Sequence, residues 1–94
     1  MEIKLKAPVE HGGKKIEAVT LDLDKLTGAD VIFCEREAVM ATAMPVFNLK
    51  SSGPFHLQLA ARASGLTVEA LMALKMPDYV RVIEEVQGFL TVTD

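Results

Sequence analysis

The side chains able to do chemistry are few and scattered. His11 and His56 are the two histidines. No Cys or His lies three or four residues from either, the spacing at which ligand sets gather around a metal. Turn and surface positions are expected for both. Cys34 is the single cysteine and sits beside Ile32 and Phe33. That setting reads as a small buried apolar residue, not an activated thiol, and one cysteine has no internal disulfide partner. Glu35 and Glu37 are two apart on an expected helix, so they point away from each other and do not make a carboxylate pair. No nucleophile motif, phosphate loop or dinucleotide fingerprint occurs. The reading is of a chain with no catalytic set, no cofactor and no metal site.

Two patterns speak of binding instead. The stretch LAARASGLTVEALMAL has Ala61, Gly65 and Leu71 at the spacing of a helix-turn-helix. A packed helix pair uses the same three residues, so the second helix must decide between the two. Residues 67–76 carry Thr67, Glu69 and Lys75 as their polar groups, with no Arg, Asn or Gln to read base edges. Arg62 and Arg81 are the only other cations after Lys50, too few to grip phosphates. Nucleic acid is therefore not expected as a partner. The methionines are more suggestive. Apart from Met1 they form two i,i+4 pairs, Met40 with Met44 and Met72 with Met76, and such pairs share a helix face. They are either flexible core filler or an adaptable docking surface for an apolar segment. Val46, Phe47 and Leu49 would extend such a surface. The candidate binding residues are thus Met40, Met44, Val46, Phe47, Leu49, Met72 and Met76.

These residues need a scaffold. The 94 residues, half of them apolar and 24% charged, have the balance of one folded domain spanning 1–94. The net charge of −3 is spread along the chain, −1 over residues 1–50 and −2 over 51–94. It makes neither a basic footprint nor an acidic tail. No run reaches the ~18–20 apolar residues of a membrane span, and the N-terminus lacks the apolar core of a signal peptide. A soluble cytoplasmic protein without a membrane partner is expected.

Alternation over residues 2–7 puts Ile3, Leu5 and Ala7 on one face, a half-buried strand that Pro8 should stop. His11-Gly12-Gly13 signals a turn. A second strand is expected over 15–23, where the apolar phase slips from Ile16 and Ala18 to Val19, Leu21 and Leu23. Such a slip reads as a β-bulge near Glu17–Val19. A lone hairpin is marginal, so its Ile3, Leu5, Val19 and Leu21 face should pack on helices. From Thr27, an N-cap with Asp30 as its reciprocal partner, a helix is expected over Gly28 to about Thr42. Ile32, Phe33, Val39, Met40 and Ala43 mark its apolar side, and Glu35, Arg36 and Glu37 its wet side. Pro45 ends it. Pro54 opens a second helix that stops at Gly65, Thr67 caps a short third over 68–75, and Pro77 starts a fourth. That fourth helix carries Val82, Ile83, Val86, Phe89 and Leu90, and the TVTD tail should fray. The architecture is α+β: an N-terminal antiparallel β-hairpin over 1–24, then a bundle of about four α-helices over 27–92.

Four stretches in this order resemble the tail assembly chaperones of long-tailed bacteriophages, the family that includes the Mu-like and P2-like small tail proteins. They are the hairpin KAPVEHGGKKIEAVTL; LDLDKLTGADVIFCEREA, with Leu26-Thr27-Gly28, Asp30 and Glu35-Arg36-Glu37; LAARASGLTVEALMALKMPDY; and VIEEVQGFL. The connector over 44–53 carries no part of the resemblance. The resemblance implies a non-enzymatic protein of the bacterial host cytoplasm. It would bind the tape measure protein, a very long helical chain, and keep it soluble while the tail tube forms around it. It would leave before the virion is mature. The tail tube protein is a further candidate partner. Self-association of the apolar surface is expected without client. In many such phages a programmed frameshift makes a longer second form. The competing readings are a prophage-encoded helix-turn-helix DNA-binding regulator and a small structural component retained in the tail.

Overall fold

The alternation that begins at Glu2 continues well past Pro8. The computed structural model describes residues 1–91, and in it β1 runs over Glu2–His11 and pairs antiparallel with β2, Lys14–Thr20. Gly12 and Gly13 make the turn, both with positive φ. Pro8 does not stop the strand because it sits where the ladder is already open. Lys4 pairs with Ala18 and Val9 with Ile16, so Leu5 through Pro8 face Glu17 alone. A missing N–H costs nothing at a position with no ladder partner. The bulge is therefore real, but its extra residues lie on β1, not on β2 near Glu17–Val19. Three extra residues are an odd number, so β1 keeps its phase while β2 changes phase. Ile3, Leu5 and Ile16, Val19 all turn inward. The expected second strand is also shorter than 15–23. It ends at Thr20, and Leu23–Lys25 form a single 3₁₀ turn.

Four helices follow: α1 Gly28–Thr42, α2 Gly53–Ser64, α3 Val68–Met72 and α4 Met76–Thr91. The architecture is the expected α+β hairpin with helices. The start of each of the first three is written in its cap. Asp30 accepts from the Thr27 backbone N–H at 2.8 Å, Ser52 Oγ accepts from Phe55 N–H at 3.3 Å, and Thr67 Oγ1 accepts from Ala70 N–H at 3.0 Å. Gly65 closes α2 in the left-handed region. α3 is shorter than 68–75, ending at Met72. The expected boundary at 92 and most of the TVTD tail lie outside the described residues.

The core is formed by Phe55 and Leu59 of α2, Leu71 of α3, Val82 and Val86 of α4, and the inward face of the hairpin. Ile3, Leu5, Val19 and Leu21 are all buried, so the hairpin packs on the helices as its own marginal stability requires. The tie to α4 is polar as well as apolar. Asp78, in the first turn of α4 and only 1% exposed, accepts from the backbone N–H groups of Lys6 and Ala7, each at 3.0 Å. These are donors the bulge has released from the ladder. Arg81, one turn on, donates to the Lys4 carbonyl at 2.8 Å. The two N–H bonds, with help from Arg81, hold the Asp78 carboxyl below the usual carboxylate range.

α1 corrects its expected orientation. Ile32, Phe33, Val39, Met40 and Ala43 are exposed, and the buried residues are Cys34 and Ala38. Glu35 and Glu37, expected on the wet side, are half-buried. The sequence VIFCEREAVMA is apolar nearly all round, so its period does not choose a face. Close approach to α2 does, because small Cys34 and Ala38 let the backbones come near while the large side chains stay outside. Arg62 of α2 clasps α1 from beside, bonding Asp30 at 2.6 Å and lying 4.3 Å over the Phe33 ring. Burial pushes the Cys34 thiol above its ordinary value.

Candidate partner-binding surface

The connector between α1 and α2 is tied down at both ends. Ala43 turns the chain in the left-handed region, φ 58°, its N–H donating to the Val39 carbonyl. Thr42 Oγ1 accepts from Met44 N–H at 3.2 Å and donates to the Ala38 carbonyl at 2.9 Å. At the other end His56 Nε2 bonds the Leu49 carbonyl at 3.0 Å. A carbonyl only accepts, so the proton is on Nε2. His56 is 2% exposed, against the expectation of a surface role. It faces inward from the first turn of α2 because its ring anchors the returning connector. Between these ties, Asn48 Oδ1 accepts from Lys50 N–H at 2.9 Å. Val46 is half-buried against the core, while Phe47 is 88% exposed.

Beside the connector lies an open groove of about 840 Å³. α1 contributes Glu37, Met40 and Ala41; α2 contributes Pro54, Leu57 and Gln58; α3 contributes Val68, Glu69 and Met72; Tyr79 of α4 completes it. The two methionines, 72% and 58% exposed, come from different walls. A smaller depression of about 250 Å³ shares Thr42 and Pro54 with the groove and is lined by Met44, Pro45 and Val46. Of the seven expected binding residues, four thus come together: Met40 and Met72 in the groove, Met44 and Val46 in its extension. Phe47, Leu49 and Met76 are exposed but line neither. Leu57, Val68, Glu37 and Glu69 were not anticipated. Val68 carried a signal, standing four residues before Met72 just as Met72 stands four before Met76.

The surface offers fit rather than chemistry. Thr42 has its hydroxyl occupied by the backbone, and burial raises the Tyr79 phenol above its ordinary value. Among the described residues no three His, Cys, Asp or Glu side chains converge as a metal site, and no described helix is long and apolar enough to cross a membrane. The helix-turn-helix residues have a packing role. Leu71 is fully buried and Ala61 half-buried, and the second helix is only five residues long.

A model of the family described as phage tail assembly chaperone proteins, E, or 41 or 14, matches residues 2–91. The chain belongs to that family. No curated protein and no solved structure matches it. Membership assigns this tail assembly chaperone to a family defined by assembly, not by a reaction. The match runs through the connector over 44–53, which carries no part of the resemblance in the sequence.

Proposed function

We propose that the chain binds the tape measure protein and keeps it soluble during tail tube assembly, with the Met40–Met72 groove and the connector as the docking surface. One observation supports this most. Two methionines from helices far apart in sequence stand uncovered in the lining of one groove, where core filler would be buried. A tape measure chain exposes apolar helical stripes until the tube encloses it, and soft methionine walls refit to stripes of varied sequence. Phe47, exposed in the connector, is the aromatic anchor in this reading. Binding per copy is modest, since the client must be released, and many copies along one chain supply coverage. The site of action is the host cytoplasm, and the mature virion lacks the protein.

Co-expression with the tape measure protein tests the reading. Phe47→Ala and Met72→Glu should leave the melting temperature of the chaperone almost unchanged and lower the fraction of tape measure protein that stays soluble and co-purifies. Unchanged solubility with both variants would mean the surface is not the docking site. Abundance of the chain in purified particles would favour the structural component instead.

A further inference from the structure

The groove carries a charge pattern that its apolar lining does not require. Glu37 stands three residues before Met40 on α1, and Glu69 three before Met72 on α3, so each methionine has a carboxylate neighbour along its own helix. Both carboxylates line the groove and no Lys or Arg does so among the described residues. Neither takes part in the four salt bridges seen among the described residues. The result is an apolar floor with an unneutralised negative charge on each flank. From this charge pattern we infer that the occupant is an amphipathic helix whose apolar stripe is bordered on both sides by Lys or Arg. This rests on the proposed use of the groove for client and adds the chemistry by which it selects among apolar stripes.

A stripe alone would seat equally well whatever its borders, since apolar burial has no direction. The flanking carboxylates make the borders count. Lys or Arg at three or four residues from the stripe reaches them across the rim, while Glu or Asp there meets like charge in a site partly shielded from water. The methionines then set how much stripe is buried and the glutamates set which stripe is accepted.

The test uses the full chain and two synthetic helical peptides with an identical leucine stripe, one bordered by Lys and Arg, the other by Glu. Fluorescence anisotropy at about 50 mM salt should show the basic peptide binding about tenfold tighter, with the ratio shrinking at about 500 mM salt. Glu37→Gln with Glu69→Gln should bring the ratio close to one, whereas Glu84→Gln with Glu85→Gln, the same change of charge on α4 away from the groove, should leave it standing. Equal binding of the two peptides, with both weakened by Met72→Glu, would overturn the charge inference and leave the groove as the docking site. A preference abolished as well by the α4 variant would assign it to net charge and overturn the inference. Failure of both peptides to bind would overturn both the inference and the use of the groove, as would binding of the Glu-bordered peptide alone.

Discussion

Asp78 satisfies two backbone donors that the open ladder leaves without a strand partner. Its carboxylate is bonded by Lys6 and Ala7 and is held ionised below the usual range. An unfolded Asp titrates near 3.9, so the depressed folded value stabilises the fold at neutral pH and that contribution is lost as pH falls through the folded pKa. Asp30, lowered by its bonds from Thr27 and Arg62, works in the same direction. Asp78→Asn should therefore be less stable near pH 7, and should lose less on acidification to about pH 3 than the parent does. Denaturant midpoints across that range decide it, and parallel curves would count against the role given to the carboxylate. Ala43 is the opposite case, a side chain that does harm. Its φ of 58° suits glycine, and its methyl is exposed. Ala43→Gly should stabilise by about 0.5–1 kcal/mol, the relief of left-handed strain less the added freedom of the unfolded chain. A destabilised variant in thermal melts would rule this out.

Among elements, those with local signals were legible in the sequence. Thr27 and Thr67 stand at helix starts and Gly65 sits where its φ is needed, because caps are decided within four residues of chain; the Ser52 cap is equally local but was not singled out beside Pro54. What depended on a distant partner was not legible. Pro8 was expected to end β1, and only Asp78, seventy residues away, explains why the strand opens there and continues. α1 shows the same limit. With apolar residues nearly all round, its buried face was chosen by how near α2 could come, so Cys34 and Ala38 went inside and Ile32 and Val39 outside. The candidate site was half legible for a related reason. Methionine spacing finds helix faces, but which faces meet across a groove is a matter of packing. The hairpin face itself was clear from alternation, and its energetics can be checked. Leu5→Ala should cost roughly 2–4 kcal/mol, given its burial. A cost near zero in urea melts would put that face outside the core.

At the scale of the molecule, surface composition sets what the chain encounters. Net charge is −3, and α3 has no base-reading side chains, so negligible DNA binding is expected in gel shifts at low salt. Micromolar binding that weakens steeply with added salt would revive the regulator reading. The uncovered apolar residues act in the other direction. Ile32, Val39 and Met40 are exposed on α1, and Phe47 is exposed in the connector that follows it. A patch of this kind drives association when nothing covers it. Sedimentation velocity should show mass rising with concentration in the free chain, and falling back when a groove-binding peptide is added. A monomer at every concentration would mean the patch is too dispersed to pair.

The two amide protons that Lys6 and Ala7 give to Asp78 belong to β1 by sequence but to α4 by attachment. Separating the two strands does not free them, since the ladder is already open there; lifting α4 does. In hydrogen exchange they should therefore follow the slow protons of α4, while their strand neighbours follow the hairpin. A pair of amides near one end of the chain would then report, residue by residue, on the departure of a helix near the other.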